Sequence, residues 1–194
     1  MERKAKIANL AYLSPEQRAK EAESLGFTIE KQDADRVLLA DPQGNAVVAL
    51  RGTQFKPKNM LRDVATDVAI LFGKGERTPR YKASERFLEE AKASGKYNKI
   101  ETVGHSLGAH QALHLGKTYG VETHAFNPAF SLPDVARSVV DRIVVRKKLP
   151  HINIYTTGTD PISIASMASL THNVKRHKAK KGHVSSHALE QFWT

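Results

Sequence analysis

A chain of 194 residues with no cysteine has no disulfide framework, no thiolate metal site and no cysteine nucleophile. Its length fits one domain, expected over 1–194, and its 40% hydrophobic and 26% charged content excludes a disordered chain. The formal charge of +10 leaves three meanings open: nucleic acid, an anionic lipid surface, or solubility alone.

In chain order, the stretch MERKAKIANLAYL starts basic and holds no apolar core of signal-peptide length. No later apolar run is long enough for a membrane-spanning helix. The expectation is therefore a cytoplasmic start or packaging in a particle, with the final location open. Ser14-Pro15-Glu16-Gln17 predicts a helix start, with serine as cap, proline in the first turn and Gln17 reaching back. That helix ends at Gly26, making 1–30 an N-terminal helical segment. Arg36 to Ala40 and Ala46 to Leu50 are apolar runs around Asp41-Pro42-Gln43-Gly44, which predicts a hairpin. Helical spacing marks Asn59 to Phe72 and Arg80 to Ser94. Lys99 to Val103 is a strand, Leu107 to Tyr119 a helix ending at Gly120, and Val121 to Phe126 and Ile152 to Tyr155 are strands. A basic loop spans 171–183, and His187 to Trp193 predicts a last short helix. After the hairpin, strands alternate with helices. The expected fold class is α/β: a mostly parallel sheet covered on both faces.

Gly104-His105-Ser106-Leu107-Gly108 matches G-x-S-x-G. By composition, such a triplet arises in about one chain in twenty of this length, so its context decides. Here a strand precedes it and a helix follows it, as a nucleophile elbow requires. Gly104 and Gly108 allow a sharp turn and close packing. The alternative is a loop serine that caps a helix. A serine hydroxyl needs a neutral imidazole to take its proton and a carboxylate to orient that imidazole. Asp160 lies just beyond the strand Ile152 to Tyr155, where open α/β sheets place ligand-facing residues; an Asp-Pro turn is its plainer role. Among nine histidines, His187 opens the last helix, where an N-terminal dipole keeps imidazole neutral. His183 is the reserve base. His105 reads as a neighbour of the serine. His110 and His114 are spaced for a metal but lack the HExxH glutamate, so a polar helix face is the simpler reading. His172 and His177 fall in the basic loop. The N–H of Leu107 is one oxyanion donor, and Thr53, after Gly52, offers the second.

Five blocks then occur in order: Val47-Val-Ala-Leu-Arg-Gly-Thr53, Asn59-Met-Leu-Arg-Asp63, Val103-Gly-His-Ser-Leu-Gly108, Ala125-Phe-Asn-Pro128 and Thr159-Asp-Pro161. This set resembles the class 3 lipase family of α/β-hydrolases. The resemblance implies Ser106 as nucleophile, Asp160 as orienter, His187 as base and Thr53 as oxyanion residue. Asp63 is similar to the acidic residue that holds the oxyanion loop. Leu50 stands where the family has an aromatic residue, and the chain is smaller than typical members.

The resulting expectation is a serine esterase acting on lipid acyl esters, with neither metal nor organic cofactor. The basic run Lys175 to Lys181 points to contact with an anionic membrane and favours a phospholipid substrate; no nucleic-acid motif is present. Two alternatives stay open: a non-catalytic hydrolase-fold module that binds through its basic face, and a serine hydrolase of another class, such as a thioesterase or peptidase.

Overall fold

The computed structural model describes residues 1–52, 78–129, 149–157, 173–178 and 188–193. The first helices are α1 (Glu2–Leu10) and α2 (Pro15–Ser24). In α1, Ala5, Ile7, Ala8 and Leu10 are completely buried, so this basic N-terminus is a core helix. For α2 the capping box is complete: Gln17 N–H donates to Ser14 Oγ at 3.4 Å, and Ser14 N–H to Gln17 Oε1 at 3.2 Å. The helix stops at Gly26, whose φ of +76° is left-handed.

The segment 1–30 is helical only to Ser24. Thr28–Gln32 form β1, an edge strand on β2 (Arg36–Ala40). Its sequence TIEKQ is almost entirely polar, so hydrophobic periodicity gives no strand signal there. The hairpin from β2 to β3 (Asn45–Leu50) forms as predicted. The Asp41 carboxylate accepts the N–H groups of Gln43 and Asn45 at 3.0 and 2.8 Å, and Gly44 takes φ +79°.

From β3 onward the pairing is parallel, through β4 (Lys99–His105), β5 (Glu122–Phe126), β6 (Ile152–Thr157) and β7 (Asn173–His177). The described sheet has seven strands in the order β1-β2-β3-β4-β5-β6-β7. The expected α/β class is what the structure shows. Register aligns the carboxyl ends: Leu50 opposes Gly104, His105 opposes Phe126, and Thr157 opposes His177. One edge of the sheet therefore carries all these strand ends.

Side-chain alternation divides the core into two layers. Val37, Leu39, Val47, Ala49, Val103, Phe126 and Tyr155 face α1, Ala22 of α2 and the last turn. Leu38, Ala46, Val48 and Leu50 face α3 (Pro79–Ala93) and α4 (Leu107–Tyr119), while Ala125, Ile152 and Ile154 meet Ala109 and Leu113 of α4. Gly116 makes the last contact possible, since a Cβ there would lie 2.2 Å from Thr123 Oγ1.

Two expectations change near the C-terminus. Residues 173–177 of the predicted basic loop are strand β7, with Lys175 and Arg176 exposed and Val174 packed against the core. Charge hides the alternation of this strand, and lysines on a sheet edge also discourage pairing with other chains. The predicted helix from His187 is a single 3-10 turn, Leu189–Phe192. So short a segment cannot sustain the α-helical nucleus on its own. Tertiary contact holds it: Phe192 packs edge-on to Phe126, ring centroids 5.1 Å apart. The predicted helix Asn59 to Phe72 lies outside the described residues. No helix among the described residues is long and apolar enough to cross a membrane.

Candidate active site

β4 ends at His105 and α4 begins at Leu107, so Ser106 alone makes the turn. Its backbone has φ 56° and ψ −122°, and only one other described non-glycine residue, Asn127, has a positive φ. For a side chain larger than hydrogen this region costs about 1–3 kcal/mol, so surrounding structure must enforce it. Ser106 N–H donates to Phe126 O at 3.1 Å, and Ser106 O accepts the N–H groups of His110 and Ala129 at 3.2 and 3.4 Å.

Two glycines let the turn close. A Cβ on Gly104 would stand 2.3 Å from Gly108 O, and one on Gly108 would stand 2.1 Å from Leu50 O. The first turn of α4 is therefore pressed between the ends of β4 and β3. Ser106 makes no side-chain capping bond, which removes the capping explanation for this serine. Its Oγ is buried and hydrogen-bonds none of the described residues. Leu107 opens α4, so its N–H has no acceptor within the helix, and the helix dipole places positive potential there.

Beside the elbow, the strand-end segment Arg51-Gly52 is held at each polar backbone group the structure pairs. Arg51 N–H donates to Asp35 O at 2.8 Å. Arg51 O accepts from Arg80 Nη2 at 2.6 Å. Gly52 N–H donates to Tyr12 Oη at 2.9 Å. Gly52 itself touches the elbow, for a Cβ there would fall 2.6 Å from His105 O and 3.2 Å from Ser106 Cβ. Burial pushes the Tyr12 phenol far above its ordinary value, only partly offset by the Gly52 hydrogen bond and by Arg80 and Arg51.

On the far side of the elbow, Asn127 adopts φ 39° and joins β5 to β6. Its N–H donates to Tyr155 O at 2.8 Å, and its Oδ1 accepts Thr157 N–H at 2.9 Å. Ser106, Leu107, Gly104 and Gly108 thus meet at one sheet edge with Gly52 and Asn127. Thr53, Asp63, Asp160, His183 and His187 lie outside the described residues.

The other described histidines are engaged elsewhere. His105 Nδ1 lies 3.1 Å from Tyr12 Oη. His110 and His114 sit at the α3–α4 contact, each facing a polar partner. His110 Nδ1 pairs with the Tyr81 hydroxyl, and His114 Nε2 with Glu85 at 2.7 Å. No cluster of three metal-ligating side chains occurs among the described residues. His151 Nε2 lies 3.1 Å from Gly116 O. His177 leaves the solvated loop expected for it and packs on Phe192, centroids 5.5 Å apart.

Tyr12 and Arg80 hold positions at this edge that motif reading overlooks, because both arrive through tertiary contact. Asn127 lies in the block Ala125-Phe-Asn-Pro128, and an asparagine before proline with a turn-prone conformation is its local signal.

No family model matches the chain. A GDSL esterase/lipase of Arabidopsis thaliana is 34% identical over 89 residues, 43% of this chain. The match spans only 25% of that relative's length. MDLA of Penicillium cyclopium, solved as a point mutant, aligns with 92% of this chain and 78% of its own, at 16% identity and TM-score 0.53. A fungal lipase structure aligns with 96% of this chain and 81% of its own, at 13% identity and TM-score 0.49. The fold is α/β-hydrolase-like.

Proposed function

We propose that this chain is a serine esterase that hydrolyses acyl esters of lipids, on the class 3 lipase pattern. The observation that carries the reading is Ser106: a buried hydroxyl on a positive-φ turn between a central parallel strand and a helix N-terminus. A residue that only caps a helix does not need that backbone.

In the proposed mechanism, His187 takes the Ser106 proton as Oγ attacks the ester carbonyl. The N–H of Leu107 and Thr53 hold the oxyanion. His187 then protonates the leaving alcohol, and an acyl-enzyme remains. Water, deprotonated by His187, releases the acid and restores Ser106. Asp160 orients the imidazole, Asp63 supports the Thr53 loop, and His183 is the reserve base. The reaction uses no metal or organic cofactor.

Several described contacts support this assignment. The N–H groups of Arg51 and Gly52 are already committed, so neither competes with Thr53 for the oxyanion. Thr157, upstream of Asp160, is fixed by Asn127 at the elbow's edge of the sheet. Directly after His187, the Leu189–Phe192 turn packs on Phe126, whose carbonyl receives Ser106 N–H. Exposed Lys175, Arg176 and Lys178 on and beside β7 favour an anionic lipid surface as partner.

A panel of nitrophenyl esters, phospholipids and acyl-thioesters tests the reading. The expected result is turnover of acyl esters, phospholipids included, that is lost in Ser106→Ala. Preference for thioesters moves the chain to another hydrolase class, and turnover that survives Ser106→Ala removes the reading.

A further inference from the structure

We propose that Tyr12 is a positioning residue for the reaction, its hydroxyl joining the oxyanion loop to the nucleophile elbow. The inference rests on the serine-esterase reading and assigns a role to a residue outside every motif of that reading.

The hydroxyl sits between two strand ends. It accepts Gly52 N–H at 2.9 Å on the β3 side. On the β4 side it lies 3.1 Å from His105 Nδ1 and 3.3 Å from His105 O. A phenol has one proton to give and lone pairs to receive. In one His105 tautomer the phenol donates to Nδ1. In the other it accepts Nδ1–H and donates to the His105 carbonyl. Both close the bridge, so the residue before Ser106 and the residue before Thr53 are fixed to one oxygen atom.

The oxygen is itself held in place. Tyr12 stands in the turn between α1 and α2, with its N–H on Asn9 O at 2.9 Å. Arg18, only 5% exposed, staples that turn. Its Nε donates to Leu10 O at 3.1 Å, Nη2 to Ala11 O at 2.9 Å, and Nη1 to Asp33 O at 2.8 Å. From the opposite side Arg80 grips Arg51 O. Arg51 and Gly52, which lead into the proposed oxyanion residue Thr53, are thus clamped between Tyr12 and Arg80. Donors for a developing oxyanion act by being fixed before charge appears. Losing the phenol oxygen leaves Gly52 N–H buried without its acceptor and lets Gly52 shift away from Ser106. Substrate binding in the ground state does not use this bond, so the loss falls on kcat.

The test measures kcat, KM and thermal stability of Tyr12→Phe on a short nitrophenyl ester. The expected result is a kcat lowered 10- to 100-fold with KM within twofold. Asp41→Ala serves as control, since it removes the carboxylate that holds the β2–β3 turn at the opposite end of these strands. It lowers Tm but leaves kcat within twofold at a temperature where it is folded. A Tyr12→Phe enzyme with wild-type kcat overturns the proposal, as does an Asp41→Ala enzyme with an equal loss of kcat. Should Tyr12→Phe not fold, 4-aminophenylalanine at position 12 decides. It keeps the ring and a donor towards His105 but offers Gly52 N–H a far poorer acceptor. A lowered kcat with KM within twofold is expected, and a wild-type kcat overturns the role. Wild-type turnover that is absent, or that survives Ser106→Ala, is instead a failure of the esterase reading.

Discussion

Gly108 and Leu50 meet without space for a methyl group: a Cβ on Gly108 would lie 2.1 Å from the Leu50 carbonyl oxygen. The neighbour is backbone, so it cannot rotate away. Gly108→Ala must push α4 from the end of β3, where Arg51 and Gly52 lead towards Thr53, the proposed oxyanion residue. Overpacking of this kind costs about 1–3 kcal/mol, occasionally more. The expected outcome is a Tm several degrees lower and a kcat at least tenfold lower, measured by thermal melts and ester hydrolysis.

The turn at Ser106 stores strain that glycine does not feel. Ser106→Ala keeps the strain, whereas Ser106→Gly relieves it. Denaturant unfolding should find Ser106→Gly more stable than Ser106→Ala by about 1 kcal/mol, at the low end of such backbone costs. Both variants should lack esterase activity. This is the pattern of a site whose geometry is kept at the expense of stability.

Stability should fall as pH drops from 7 towards 5. His124 is buried, and burial holds its imidazole below the ordinary 6.5, with Lys4 acting in the same sense against Glu101 and Glu122. Its Nδ1 also pairs with Tyr155 Oη at 3.1 Å. The unfolded chain then binds a proton that the folded chain refuses, so stability rises with pH across this window. Glu101 does not contribute there. Burial raises its carboxyl, but hydrogen bonds from Lys4 and Lys99 outweigh this and hold it below 4.5. Melts of His124→Gln should show a shallower slope between pH 5 and 7 than wild type.

Lys175, Arg176 and Lys178 form an exposed basic strip at the β7 edge. Near an anionic bilayer each contributes about 1 kcal/mol. Replacing all three with glutamine should weaken binding to phosphatidylserine vesicles about a hundredfold in co-sedimentation. Binding to neutral vesicles should be unchanged, and added salt should weaken the wild-type interaction.

Much of this was legible in the residues. The capping box at Ser14, the Asp41 to Gly44 turn and the helix from Leu107 to Tyr119 each rest on local chemistry, and local chemistry is what a sequence displays. The elbow was legible because G-x-S-x-G needs its glycines for backbone approach, and both glycines make that approach. What stayed hidden depends on partners distant in the chain. β1 and β7 are polar strands recruited by their neighbours. Tyr12 reaches Gly52 across 40 positions, and Arg80 reaches Arg51 across 29. No periodicity or motif encodes such contacts. The roles given to Asp160 and His187 rest on motif order and on the neighbours that flank them.

The central claim is that Ser106 is the nucleophile of an esterase. Its most direct measurement is covalent labelling by a fluorophosphonate, followed by peptide mass mapping and by ester hydrolysis of the labelled protein. The account predicts one adduct per chain on Ser106, activity lost in proportion to labelling, and no adduct in Ser106→Ala. An adduct on another residue, or full ester hydrolysis by the labelled protein, would contradict it.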